Sequence, residues 1–297
     1  MNRFFLIVLI VLLSPAANAL EVFACEPEWG SLVEEIAGDI ANITVATTAF
    51  QDPHALQARP SLIAAARQAD LVVCTGADLE IGWLPLLLRR AGNAGIQPGS
   101  PGYFLAASHV RRIEIPKSID RSQGDVHPQG NPHIHLSPRS IERVAVALAE
   151  RLAAIDPANA ADYQSNSADF LTRWQTANDS WQERADALAG MRLVSHHRSF
   201  SYLADWLDLD IVATLEPKPG IPASGAQLAK LLEQLTPNPP AGIIRAPFES
   251  EKPALWLSDR LGSPVVEMPF TVGGTEASAN LFELYEQTIT ILEQLQP

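Results

Sequence analysis

Only two of the 297 residues are cysteine, Cys25 and Cys74, and they lie far apart in the chain. Neither has a second cysteine nearby, which removes the thiolate-rich class of metal site. Positive charge is also short, with 21 Lys and Arg against 34 Asp and Glu, for a formal net charge of −13. A field of that sign repels nucleic acid and anionic lipid, keeps the protein soluble and mildly favours cations. No H-E-x-x-H metalloprotease signature and no G-x-S-x-G nucleophile elbow occurs. No short-period repeat occurs either. Histidine is scarce, at seven residues, so where those seven fall carries weight.

Long apolar runs are missing beyond the first nineteen residues. In "MNRFFLIVLIVLLSPAANA" the run from Phe4 to Leu13 follows Arg3 and precedes Ala17-Asn18-Ala19, an A-x-A cleavage pattern. Its roughly ten residues are too few to span a bilayer, which needs ~20. The segment 1–19 is therefore read as a signal peptide cut near Ala19, and the protein as exported to the periplasm. Leu20 rather than Cys follows the cut, so a lipid-anchored cysteine is not indicated. Loss of Arg3 with the leader takes the charge from −13 to −14. About 278 residues remain, enough for one large or two medium domains.

Strand-like and helix-like segments alternate from the new start. "LEVFAC" (20–25), "NITVATTAF" (42–50) and "LVVCTG" (71–76) read as strands, with helices over 30–40, 59–70 and 82–92. Residues 95–130 are rich in Gly, Pro and Ser, with weak strand signals. A capped helix then starts at Ser137-Pro138, with Ile141, Val144, Leu148, Leu152 and Ile155 on one stripe. A second runs from Pro157 to Leu188 with Tyr163, Phe170, Trp174, Ala177, Trp181 and Leu188 on its apolar face. At 1.5 Å per residue it spans roughly 45–50 Å, longer than one lobe. The aromatic stripe predicts a strut buried against two lobes. Alternation resumes over 191–295. The expected fold is α/β: two lobes with parallel sheets, 20–156 and 191–297, joined by one long helix over 157–190. Cys25 and Cys74 both end β-branched runs of the first lobe, and pair as a disulfide if those strands are neighbours.

Five of the seven histidines sit on the approaches to helices. His54 lies in "QDPHALQARPS", His133 and His135 in "GNPHIHLSP", His196 and His197 in "VSHHRSF". Loops leaving the carboxyl ends of strands in an α/β sheet converge on one crevice. Three such loops would set three imidazoles around one point, a donor set with an open position that suits Zn²⁺. Two of the loops share [Asp/Asn]-Pro-His, in which proline stiffens the backbone presenting the ring. His109 and His127 lack this context and read as surface residues or as partners of a nearby carbonyl.

Together, "DPHALQARPS", "NPHIHLSP", "HHRSFSYLADWLDL" and "PFTVGGTEA" resemble the metal-specific solute-binding proteins of ABC transporters, the exported zinc and manganese receptors. The resemblance covers essentially the whole mature chain. It implies two α/β lobes bridged by a long helix, a monomer, and a membrane permease with its cytoplasmic ATPase as partner. It also implies His54, His133 and His197 as metal ligands; Phe200 and Tyr202 fix His197 rather than His196 as the third. His135 stands where the family commonly has an aromatic, which implies packing or support of a ligand. Many members add a carboxylate ligand near the C-terminus, but that position falls here at Met268 or Pro269. Water, Glu216 or Glu267 is left for the fourth place, and strand alternation turns Glu267 to the other face. Zinc-binding relatives often carry a long His- and Asp-rich loop; here "QGDVHPQG" offers only Asp125 and His127 to hand metal in.

Three neutral nitrogens without a carboxylate favour Zn²⁺ over Mn²⁺. The alternative is a zinc hydrolase, since three histidines plus water also describe a catalytic site. No carboxylate next to a ligand offers itself as a general base, which argues against it. A third reading keeps the fold but makes it an adhesin or a receptor for another small ligand.

Overall fold

The computed structural model describes residues 19–118 and 127–296. Asp125 and all but the last residue of the leader lie outside the described residues. The first lobe is built on a four-stranded sheet of β1 (Leu20–Ala24), β2 (Ala41–Val45), β3 (Leu71–Cys74) and β4 (Tyr103–Leu105). The order is β2-β1-β3-β4 and every pairing is parallel. The second lobe repeats the plan with β5 (Arg192–Ser195), β6 (Asp210–Thr214), β7 (Gly242–Arg245) and β8 (Val265–Glu267). Its order is β6-β5-β7-β8, again parallel throughout. All four residues of β3 are buried, as an unbroken apolar run covered on both faces requires.

Helices α1 (Pro27–Ala37), α2 (Pro60–Gln68) and α3 (Leu84–Ala91) cover the first sheet. The second carries α6 (Ser201–Leu207), α7 (Gly225–Leu235), α8 (Lys252–Leu261) and α9 (Leu281–Glu293). Helix α4 (Pro138–Ile155) packs on α1 and on α5 (Ala160–Ala185), and α5 reaches from α1 of the first lobe to α9 of the second. The strut α5 is 26 residues long, or about 39 Å at 1.5 Å per residue. Short 3₁₀ turns, Pro157–Asn159 and Asp186–Leu188, take up the remainder of the expected helix. The first is tied by Asp156, whose carboxylate accepts from Asn159 Nδ2 and the Tyr163 hydroxyl, each at 2.7 Å.

One apolar core threads both lobes through α5: Trp29 and Leu32 at one end, Phe170, Trp174 and Trp181 along the strut, Leu193 and Tyr285 at the other. Trp174 is fully buried, with ring centroids 5.3, 5.2 and 5.0 Å from Phe170, Trp181 and Tyr285. Separate outer clusters seal α2 and α3 onto the first sheet and α7 and α8 onto the second. Cys25 and Cys74 are bonded to each other. They follow or end the neighbouring strands β1 and β3, which is the adjacency the pairing needed. The sequence underweights β4, which lies in the stretch that reads as irregular, and extends β2 too far. After Val45 the chain makes two more sheet bonds, Ala46 N–H to Ala24 O and Thr47 N–H to Cys25 O, and then turns.

Candidate metal centre

The three [Asp/Asn]-Pro-His and His-His loops meet between the lobes. His54 follows β2, His133 precedes α4, and His197 follows β5. Their ring centroids form a nearly equilateral triangle, with sides of 5.6 Å (His54–His133), 5.9 Å (His54–His197) and 5.7 Å (His133–His197). One nitrogen from each ring lies within 4.8 Å of the others.

The shared sequence motif has a shared physical basis. In both loops the side-chain Oδ1 of the first residue accepts from the backbone N–H of the histidine two residues on. Asp52 takes His54 N–H and Asn131 takes His133 N–H, both at 2.9 Å. These are Asx turns, with a proline fixing φ at the middle position. Each loop is also held from outside. Trp83, buried to 1% exposure, donates its indole N–H to Pro53 O at 2.8 Å. Before Asn131, Gly130 turns at φ +100°, and a Cβ there would meet Ile113 O at 2.8 Å, so glycine is required.

Tautomers are set by carboxylates. His54 Nδ1 lies 2.7 Å from Asp52 Oδ1, and His197 Nδ1 lies 2.7 Å from Glu216 Oε2. Each carboxylate holds the ring proton on Nδ1 and leaves the Nε2 lone pair for a ligand. Burial raises the Asp52 carboxyl, but the His54 ring and N–H outweigh it and hold the group below the usual range. His133 is 1% exposed, and among the described residues neither ring nitrogen has a hydrogen-bond partner. Burial first, then the charges His54 and His197 could carry, push its pKa well below the ordinary value. A buried imidazole kept neutral with idle nitrogens is a donor waiting for a cation.

The other candidates resolve differently. Glu216 is engaged with His197 rather than aimed into the triangle. Glu267 is exposed and pairs with Arg245 at 2.6 Å, while the neighbouring Met268 is the buried one. Neither carboxylate joins the three rings within 4.8 Å. His135 is fully buried and ties the lobes together. Its Nε2 donates to Phe270 O at 2.9 Å, its Nδ1 faces Glu28 Oε1 at 3.1 Å, and its carbonyl accepts from Tyr285 at 2.6 Å. Glu28 also accepts from Thr271 of the second lobe at 2.5 Å. His196 continues the sheet through its N–H to Ile244 O at 2.9 Å and does not join the three rings within 4.8 Å. His109 stacks on Phe104 at 4.7 Å and does not join them either. His127 corrects the sequence reading: it is no isolated surface residue, since its Nε2 lies 3.2 Å from His54 Nε2. Nothing in the local sequence "DVHPQG" places it there. A second group, Cys25, Cys74 and Glu80, has no thiolate to offer because its sulfurs are bonded.

The family model described as ZnuA, zinc-uptake complex component A periplasmic, matches residues 22–295. The chain belongs to that family. Among relatives, it is 25% identical over 268 residues to the zinc-binding lipoprotein AdcA of Streptococcus pneumoniae, covering 88% of this chain and 52% of that protein. The chain thus spans about half the length of that relative. It is 22% identical to the metal ABC transporter substrate-binding lipoprotein ScbA of Streptococcus cristatus, covering 86% of this chain and 81% of the other. A crystal structure of ZnuA superposes with a TM-score of 0.75 at 23% identity, covering 94% of this chain and all of the other. The Mn-bound periplasmic metal binding protein from Candidatus Liberibacter asiaticus gives 0.75 at 18% identity with the same coverage. Both structures have the fold of this family member.

Proposed function

We propose that this protein is an exported receptor that captures a divalent transition metal, Zn²⁺ before Mn²⁺, and delivers it to an ABC-transporter permease driven by a cytoplasmic ATPase. The observation that carries the proposal is the triangle of imidazoles, two with Nδ1 held by carboxylates and the third buried with both nitrogens idle. The names of the zinc-binding and metal ABC transporter relatives support the receptor role. Nitrogen donors favour zinc over manganese, which prefers oxygen. The hydrolase reading loses its base: the carboxylates beside the rings, Asp52 and Glu216, are already bonded to His54 and His197. The leader, the periplasm and the monomeric state belong to the same proposal.

Its test is a zinc titration under chelator competition. His54→Ala, His133→Ala and His197→Ala should each weaken binding by more than the ~10–100-fold expected for loss of a supporting residue. His196→Ala should stay near wild type. Retention of affinity in all three ligand variants sinks the proposal. Elemental analysis of protein purified without chelators should find zinc; manganese in its place would overturn the metal assignment.

A further inference from the structure

The three-histidine centre leaves a fourth coordination place, and a fourth histidine already stands beside it. His127 Nε2 lies 3.2 Å from His54 Nε2, with the ring centroids 5.2 Å apart and 6.4 Å from His127 to His133. Two nitrogens bound to one tetrahedral zinc at 2.0–2.1 Å are about 3.3 Å apart. The His54–His127 pair therefore already has the spacing of two ligands on one metal, while His127 stands outside the 4.8 Å group of the other three rings and must swing toward His133 and His197 to complete the set. His127, His133 and His197 also line one cavity of about 440 Å³, together with Asn131 and Arg198.

The proton count sharpens the case. Asp52 holds the His54 proton on Nδ1, so His54 presents a lone pair at Nε2. At 3.2 Å, His127 must answer with an N–H, since two facing lone pairs would repel. A cation arriving between the two nitrogens takes the place of that single proton, and His127 then carries its own on Nδ1. The His127 loop is anchored on the described side. Gly130 N–H donates to His127 O at 3.1 Å, Gln129 Nε2 donates to Asp78 at 3.0 Å, and Arg112 donates to Gln129 at 3.0 Å.

We infer that His127 is the fourth ligand, closing an all-imidazole site in place of water or a carboxylate. This rests on the three-histidine receptor reading and deepens it. A site with four nitrogens leaves no metal-bound water to activate, and it disfavours cations that want oxygen donors.

The experiment loads the full mature chain, labelled with ¹⁵N-histidine, with ¹¹³Cd²⁺ and counts the imidazole nitrogens split by the metal. Four are expected in wild type and three in His127→Ala. Under chelator competition His127→Ala should also bind Zn²⁺ at least ~10-fold more weakly. His109→Ala should change neither, and circular dichroism with EDTA should show both variants folded like wild type. Three split nitrogens in wild type overturn the inference. So does an unchanged zinc affinity in His127→Ala, including the case in which only the rate of loading falls. If His54→Ala, His133→Ala and His197→Ala lose binding while His127→Ala does not, the inference alone fails. If those three keep binding, the receptor reading fails with it.

Discussion

At the scale of residues, the centre is governed by what stands behind each imidazole. Asp52 does two things at once: its Oδ1 accepts the His54 backbone N–H and faces the ring Nδ1. Glu216 does the second for His197 and also accepts Gly220 N–H at 3.0 Å. Removing either carboxylate frees the ring to rotate and to change tautomer, without deleting a ligand. Asp52→Ala and Glu216→Ala should therefore each weaken zinc binding by ~10–100-fold, less than removal of the histidine they support. Asp52→Asn keeps the Asx turn but turns the carboxylate into an amide, and should fall between wild type and Asp52→Ala. Equal affinities for Asp52→Asn and Asp52→Ala would show that the turn contributes nothing. The aspartate–proline–histidine pattern was readable in the chain because its geometry is local. The pairing of Glu216 with His197 was not, since it joins residues from loops after two different strands.

At the scale of elements, the loop that presents His54 is held by Trp83, which follows β3, and β3 ends beside β1. Two buried carboxyls occupy that junction. Glu26 accepts from Thr75 N–H and the Thr75 hydroxyl at 3.2 Å, and Glu80 accepts Gly76 N–H on both oxygens, at 3.1 and 3.0 Å. Burial lifts the Glu80 carboxyl to about 7, and burial together with Glu80 lifts Glu26 well above the usual range. A carboxyl whose folded pKa is raised binds its proton more tightly when folded. Its stabilisation is full below the unfolded value, ~4.5, and is lost as pH rises through about 7. Metal-free protein should therefore melt several degrees lower at pH 8 than at pH 5, and Glu80→Gln should flatten that slope. A wild-type melting temperature that does not fall across this range counts against the assignment. The disulfide staples the same junction across a sequence separation of 49 residues. Thiol counting on denatured, unreduced protein should find no free thiol. Cys25→Ser with Cys74→Ser should cost about 4 kcal/mol in a chemical denaturation series, by the loop-closure relation.

At the scale of the whole molecule, two sheets of identical strand order share one central core, besides the smaller outer cluster that each keeps. Arg184 at the end of α5 bonds both oxygens of Glu293 at 2.8 Å on α9, and Asn166 nearer its start donates to Ile36 O at 3.0 Å on α1. The buried His135, Glu28, Thr271 and Tyr285 bonds cross between lobes just behind His133. Lobes connected this way cannot lose one half of the apolar core and keep the other intact. Calorimetry of the metal-free protein should show one transition, and Trp174→Ala, which empties the centre of the strut's apolar face, should destabilise it by ~3–5 kcal/mol. Two well-separated transitions would mean that each lobe melts on its own. Among the described residues no helix is long and apolar enough to cross a membrane.

The alternation of short apolar runs with amphipathic segments determined the α/β class, the parallel sheets and the long helix. Those features follow from side-chain period and length, which a single chain displays openly. The clustering of His54, His133 and His197 was legible for a related reason: [Asp/Asn]-Pro-His stiffens its own backbone, and strand-to-helix loops converge by topology. What the chain could not display was decided by contacts between residues distant in sequence. Residue type did not reveal that β4 completes the first sheet, because a run of three residues set among Gly, Pro and Ser is too short to read as a strand and gains its place only by pairing with β3. Nor did it reveal that His135 faces Glu28 across 107 positions of chain, or that His127 reaches His54. A ring nitrogen's role depends on the lone pair or proton opposite it, and only the folded chain supplies that neighbour.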